Sequence, residues 1–207
     1  MKTEIDIPNW NRREHYWFFK DFEEPFVGIN VNIDCSKAYE TSRACGYSFF
    51  LYYLHKSLVA ANALEPFKYR IEEDKVFLYD VVHASTTILR PDNTFGFADI
   101  EFELSYDEFQ ENAKHMIKIV KNESGLRSGQ YGEATIHYSA TPWLHFTALT
   151  HARKYSRKDS CPKITFGKIE EINRHKIMPV SIFAHHGLID GFHIGEYVDL
   201  FQKLLNE

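Results

Sequence analysis

The stretch His185-His186-Gly187-Leu188-Ile189-Asp190-Gly191-Phe192-His193 sets adjacent imidazoles, a carboxylate and two glycines close together near the end of the chain. Upstream, Ile177 to Ala184 is β-prone and runs straight into the histidines. Downstream, Ile194, Tyr197, Val198, Phe201, Leu204 and Leu205 fit one apolar helical face. The motif therefore sits at a strand-to-helix junction. Successive strand side chains point to opposite faces, so only one of His185 and His186 faces a given site, and the other supports or packs. A neutral imidazole takes a proton from a hydroxyl and returns it within one turnover, and His186 suits that role. Asp190 either orients the base or pairs with a distant arginine. His185, His186, Asp190 and His193 are also potential zinc ligands, but strand alternation separates the adjacent imidazoles, so no metal is expected. The bland alternative is a chance histidine pair ahead of an apolar helix.

The rest of the chain reads as interleaved helices and strands. A short alternating start at Ile5 and Ile7 precedes a helical run from Asn11 to Phe22, and Val27, Ile29, Val31 and Ile33 then alternate as a strand does. Tyr47 to Leu64 predicts a core helix ended by Pro66. Tyr69 to Ile71 and Val76 to Leu78 predict a hairpin, and Ala84 to Leu89 pairs with Thr94 to Phe102 across Pro91-Asp92-Asn93. Ser105 and Glu108 predict a reciprocal cap for a helix that buries Phe109, Ala113, Met116, Ile117 and Val120. After a glycine-rich loop come β-prone Thr135 to Ser139 and a hairpin that joins Ile164 to Ile169 with Ile177 to Ala184 through Asn173-Arg174. Without a regular βαβ alternation, the expected class is α+β with a mixed, largely antiparallel sheet packed against helices.

Length and composition narrow the function. The 207 residues, 44% hydrophobic, are enough for one domain with a substantial core, expected over residues 1–207. No apolar run is long enough to cross a bilayer, and the first residues lack the pattern of a signal peptide, so a cytoplasmic protein is expected. Cys35, Cys45 and Cys161 form no C-x-x-C pair and read as reduced thiols. The net charge of −5, with basic clustering confined to Arg153-Lys154 and Arg157-Lys158, argues against nucleic-acid binding and for small-molecule or protein partners.

Four segments, in matching order and spacing, then carry a resemblance. His185-His186 through Asp190-Gly191-Phe192-His193 resembles the HHxxxDGFH signature of chloramphenicol acetyltransferases, whose HxxxD core is shared by several CoA-dependent acyltransferases. Trp10-Asn11-Arg12-Arg13-Glu14-His15 is similar to the family's W-x-R-[RK]-E-H segment, Ser139-Ala140-Thr141-Pro142-Trp143 to its S-A-x-P-W segment, and Ile164-Thr165-Phe166-Gly167-Lys168 to its I-T-M-x-K strand. Taken singly, these residues read as strand fillers, core and solvated charges; together they do not.

The resemblance implies a two-layer α/β sandwich and transfer of acetyl from acetyl-CoA, a co-substrate rather than a tightly bound cofactor, to a substrate hydroxyl without an acyl-enzyme. By it, His186 is the base, Ser139 bonds the oxyanion, Asp190 pairs with Arg12 to hold the motif, and Thr165 holds an ordered water. Trp143 and Lys168 lie at the CoA site. It also implies a homotrimer with active sites between subunits and an antibiotic-resistance role. In the acceptor pocket Phe19 stands where well-known members have Tyr, Val27 and Leu149 stand where they have Phe, and Phe95 matches. Acetyl transfer is thus better supported than chloramphenicol as the natural acceptor; a non-catalytic CoA or small-molecule-binding protein is the competing reading.

Overall fold

In the computed structural model, which describes residues 1–126, 129–155 and 159–207, the chain opens with β1 (Lys2–Glu4), a 3-10 turn at Ile7–Asn9 and α1 (Arg13–Phe19). There follow β2 (Phe26–Asp34), α2 (Ser36–Ala44), α3 (Phe49–Ala63), β3 (Tyr69–Glu72), β4 (Lys75–Tyr79), β5 (His83–Leu89) and β6 (Phe95–Ile100). The remainder is α4 (Tyr106–Asn122), β7 (Thr135–Thr141), β8 (Lys163–Gly167), β9 (Glu170–Ile172), β10 (His175–His185) and α5 (Gly191–Leu205). Arg157 and Lys158 of the basic stretch lie outside the described residues.

The main sheet has the order β2-β10-β8-β7-β5-β6, with β9 on the free part of β10, and a small sheet has the order β1-β4-β3. Among the described residues only β5–β7 and β7–β8 pair in parallel; the other pairs are antiparallel, as the lack of βαβ alternation predicts. Strand alternation divides the residues between two faces. Ile136 and Tyr138 of β7, Ile164 and Phe166 of β8, and Val180, Ile182 and Ala184 of β10 are buried and meet the helices. Tyr53 of α3 packs its ring 4.7 Å from that of Phe166, and Ser57 bonds the hydroxyls of Tyr138 and Tyr197, tying α3, β7 and α5 together. Side chains of opposite parity, including Ser139, Thr165 and Ser181, form the other face. On that face the ring of Phe183 lies over Gly28, directly across the β10–β2 pair; a Cβ at position 28 would come within 2.5 Å of it.

Several local expectations are corrected. The helix expected over 11–22 is only α1, because Arg12 takes its N-cap position with non-helical dihedrals and the chain leaves the helix after Phe19. The expected hairpin onto β10 is split: β9 is the arm joined through Asn173 and Arg174, both at positive φ as a two-residue turn demands, while β8 pairs farther along β10. Ser105 does sit at the N-cap of α4 but makes no side-chain cap bond. Asp107 and Glu108 in the first turn complement the helix dipole there instead. The helix α2 was not foreseen, since among its residues only Ala38 and Ser42 are buried and no apolar period marks it.

Arg70 is fully buried and spends its guanidinium on backbone carbonyls: Nε on Glu133, Nη1 on Phe67 and Tyr69, and Nη2 on Thr135. It fastens the small sheet to the start of β7. Arg70→Met strands these acceptors, so we expect a loss on the order of 3–5 kcal/mol in chemical denaturation. A midpoint within error of wild type would refute this role.

Candidate active site

Where β10 ends, the chain turns sharply onto α5. The backbone N–H of His186 donates to the Pro25 carbonyl at 2.8 Å, while the His185 carbonyl accepts from Leu188 and Ile189, each at 2.9 Å. His185 is buried, and its Nδ1 accepts from the Gly187 N–H at 3.1 Å, so the proton of this neutral ring belongs on Nε2. Burial above all, and then the nearby Arg153 guanidinium, pushes its pKa down to about 4. His185 is thus a brace for the turn.

Asp190 is the N-cap of α5. Its Oδ1 accepts from the Phe192 N–H at 3.0 Å, and His193 Nδ1 accepts from the Asp190 N–H at 3.2 Å, closing a capping box with histidine in place of the usual Glu or Gln. The other oxygen, Oδ2, receives Arg12 Nη1 at 2.8 Å, and Arg12 Nη2 reaches the His186 carbonyl at 3.4 Å. Of the two partners left open by the sequence, the carboxylate contacts the arginine. Partial burial raises the Asp190 pKa, but the Arg12 hydrogen bond and the neighbouring positive charge outweigh it, and the net shift is downward.

The His186 ring lies flat on Phe19, with centroids 4.3 Å apart and planes at 19°. Its Nδ1 is enclosed without a hydrogen-bond partner among the described residues, which leaves Nε2 as the reachable nitrogen. The inner nitrogens of His185 and His193 are both engaged with backbone N–H groups, and no cluster among the described residues has the make-up of a metal site.

A second group of candidate residues lies elsewhere on the sheet. Ser139 pairs with Thr165, and Thr165 with Ser181, so three hydroxyl residues stand in one row across β7, β8 and β10. Ser139 Oγ is 3.2 Å from Thr87 Oγ1, whereas Thr165 Oγ1 and Ser181 Oγ are buried without a hydrogen-bond partner among the described residues. Thr87 also lines a groove of about 830 Å³ between α3, α4 and the strand ends, where Phe50, Ile88, Pro142 and Trp143 form apolar wall. Trp143 is 63% exposed, so it is groove surface and not core. Lys168 is exposed, and its backbone is bonded to Leu144 and His145. Of the other candidates, Phe19 meets His186, Val27 packs on the core side of β2, Phe95 is an exposed residue at the start of β6, and Leu149 is half-buried in the long β7–β8 connection.

The two groups do not meet within one chain. His186 is five residues beyond Ser181 along the strand and two strands over from Ser139, which places their Cα atoms roughly 19 Å apart. No pair of side chains of that size spans such a gap. The sequence missed Thr87, whose signal is its place in the Ser85-Thr86-Thr87 run on a strand beside Ser139, and it missed the His193 cap, written as Asp-x-x-His ahead of an apolar helix.

Residues 1–202 match the family model described as "Chloramphenicol acetyltransferase". The chain belongs to the chloramphenicol acetyltransferase family. It is 24% identical over 206 residues to "Chloramphenicol acetyltransferase 3" of Escherichia coli, covering 99% of this chain and 97% of that one. It is 27% identical over 208 residues to the "Chloramphenicol acetyltransferase" of Campylobacter coli, covering 99% of each. A solved structure of a "chloramphenicol acetyltransferase" superposes with a TM-score of 0.92 at 31% identity, covering 99% of this chain and 100% of that one. The dihydrolipoamide acetyltransferase of Azotobacter vinelandii shares the fold at a TM-score of 0.65 and 13% identity, covering 94% of this chain and 85% of that one. The protein is accordingly an acyltransferase, and no helix among its described residues is long and apolar enough to cross a membrane.

His151 resembles His185 electrostatically: burial first, then Lys163 and His137, pushes its pKa to about 4. The unfolded chain takes protons on both rings below the ordinary value of 6.5, and the folded chain refuses them, so stability falls as pH drops from about 6.5 towards about 4. The double variant His151→Gln/His185→Gln should flatten melting temperature against pH over that window. An unchanged slope would contradict the assignment.

Proposed function

We propose that this protein is an acetyl-CoA-dependent O-acetyltransferase whose acceptor is chloramphenicol or a similar small hydroxyl compound. The family membership supports the reaction class. The observation that carries the mechanism is the pair of half-sites: a histidine with one sealed and one reachable nitrogen, and the Ser139 hydroxyl bonded to Thr87, which lines a groove with an apolar wall.

In this reading the acceptor hydroxyl gives its proton to His186 Nε2 as its oxygen attacks the thioester carbonyl. The tetrahedral oxyanion receives a hydrogen bond from Ser139. Its collapse breaks the carbon–sulfur bond, and the departing thiolate takes the proton back from the imidazolium to leave CoA as the thiol. Acetyl-CoA is thus consumed as a co-substrate, with no resident cofactor needed. Phe19 stacks the base into place, and Arg12, through Asp190 and the His186 carbonyl, holds the turn that carries it. Thr165, with an unpartnered buried hydroxyl in line with Ser139, suits an ordered water beside the intermediate.

Because His186 and Ser139 are roughly 19 Å apart within a chain, the working site takes His186 from one copy and Ser139, Thr165 and the groove from another. A homotrimer with sites between subunits satisfies this demand, and exposed rings such as Trp17 and Phe18 on α1 are suited to an interface. Residues 1–207 act as one domain in it, and a cytoplasmic setting suits the three free thiols and the supply of acetyl-CoA. In the acceptor pocket Phe19 offers a ring without a hydroxyl, and a lost buried hydrogen bond costs on the order of 0.5–1.5 kcal/mol. Chloramphenicol is therefore expected to be turned over with reduced affinity. Antibiotic resistance is the corresponding biological role.

Purified protein supplied with acetyl-CoA and chloramphenicol should release free thiol. His186→Ala should lower the rate about 10²–10⁴-fold, and Ser139→Ala on the order of 10²–10³-fold. Equal background rates for wild type and His186→Ala across phenicols and a panel of alcohols would sink the proposal.

A further inference from the structure

Of the basic neighbours Arg153 and Lys154 in the β7–β8 connection, Lys154 is exposed, whereas the Arg153 side chain is only 7% exposed. A guanidinium taken out of water is costly unless its surroundings engage it, and this one is engaged by a single short segment. Its Nη1 pairs with Glu24, and its Cζ lies 3.9 Å from the centroid of the Phe26 ring. Tyr155, two residues on, donates to the other Glu24 oxygen at 3.4 Å. Lys163, held by Asp159, lies over the same Phe26 ring at 4.3 Å. Residues 24 and 26 are thus both gripped, and between them stands Pro25, whose carbonyl accepts the His186 N–H at 2.8 Å. The Phe26 ring also meets His185 edge-on, with centroids 5.8 Å apart.

Beside these contacts a cavity of about 70 Å³ separates the connection from the turn, lined by Tyr155 and Asp159 from the one and by Pro25 and His185 from the other. Arg153 is the arm that reaches across. Arginine suits the task, because a flat guanidinium can pair with a carboxylate and lie on a ring at the same time. We infer that Arg153 is a positioning residue for the base: by holding Glu24 and Phe26 it fixes the Pro25 carbonyl, and with it the place of His186. This inference rests on His186 being the base, as proposed above, and adds a support beside Arg12 and Phe19. Arg153 acts through the backbone of the turn and touches no reacting group.

In Arg153→Met, kcat with acetyl-CoA and chloramphenicol should fall about 10–100-fold, the scale set by a base displaced by up to about 1 Å. The calorimetric Kd for CoA should stay at the wild-type value, and Arg153→Lys should recover part of the lost rate. Glu24→Gln should reproduce part of the loss, with the double variant less than additive because the two side chains act as one unit. In a His186→Ala background Arg153→Met should leave the residual rate unchanged. Wild-type kcat in Arg153→Met, a weakened CoA Kd or a further drop in that background overturns the inference, the last two as marks of a general structural defect. Nuclear magnetic resonance of the histidine rings requires no turnover. The His186 signal, shifted by the stacked Phe19 ring, should move in Arg153→Met while that of the exposed His175 stays, and an unmoved His186 signal refutes the support. Failure of wild type to release thiol would count against the acetyltransferase reading alone, and the ring signals would still decide whether Arg153 places His186.

Discussion

Two-sided pairing of β10 is the constraint from which the rest of the site follows. This strand runs from His175 to His185 and is bonded to β2 along nine consecutive partners and to β8 along four. A slip of one residue would send Val180, Ile182 and Ala184 out of the core and bring Ser181, Phe183 and His185 into it, so burial of the apolar set fixes the register firmly. Once it is fixed, the strand's end is fixed too. The turn that presents His186 is then anchored at a known height above the sheet, and the hydroxyl row through Ser181, Thr165 and Ser139 lies at another.

The turn itself is stiffened by electrostatics of modest individual strength. Asp190 engages three partners at once: its carboxylate accepts from the Phe192 N–H and from Arg12, and its backbone N–H donates to His193 Nδ1 across the capping box. Arg12 in turn reaches back to the carbonyl of His186, so the guanidinium joins the first helix to both ends of the motif. Side-chain exposures of 11% and 27% place the pair between a surface bridge and a buried one, where geometric definition matters more than net stabilisation. His185 adds rigidity by remaining neutral inside. The reachable imidazole is thus supported from beneath by hydrogen bonds and from the side by the Phe19 ring.

Much of this was legible in the sequence because it was written in period and punctuation. The alternation of β2 and β10, the apolar faces of α3, α4 and α5, and the turn residues Asn93 and Asn173 each have a local physical cause that survives without tertiary context. What was not legible depended on context. Ser105 and Glu108 had the right spacing for a capping box, yet that pattern formed at Asp190 and His193, where Arg12 fixes the carboxylate. The polar helix α2 shows no apolar stripe, so nothing local announced it. Whether Asp190 would face the histidine or an arginine turned on residues 178 positions apart. The row linking Thr87 to Ser139 required knowing which strands are neighbours, and β5 and β7 pair in parallel although β6, α4 and a long loop separate them along the chain.

The ring of Phe183 over Gly28 ties two positions of neighbouring strands into one unit. Any side chain at 28 demands the volume that the ring fills, while a smaller residue at 183 without a change at 28 leaves a void beside the backbone. The two sites therefore form an epistatic pair. A side chain at 28 displaces the ring and a smaller residue at 183 uncovers the backbone at 28, so the effects of changes at the two positions are coupled rather than additive.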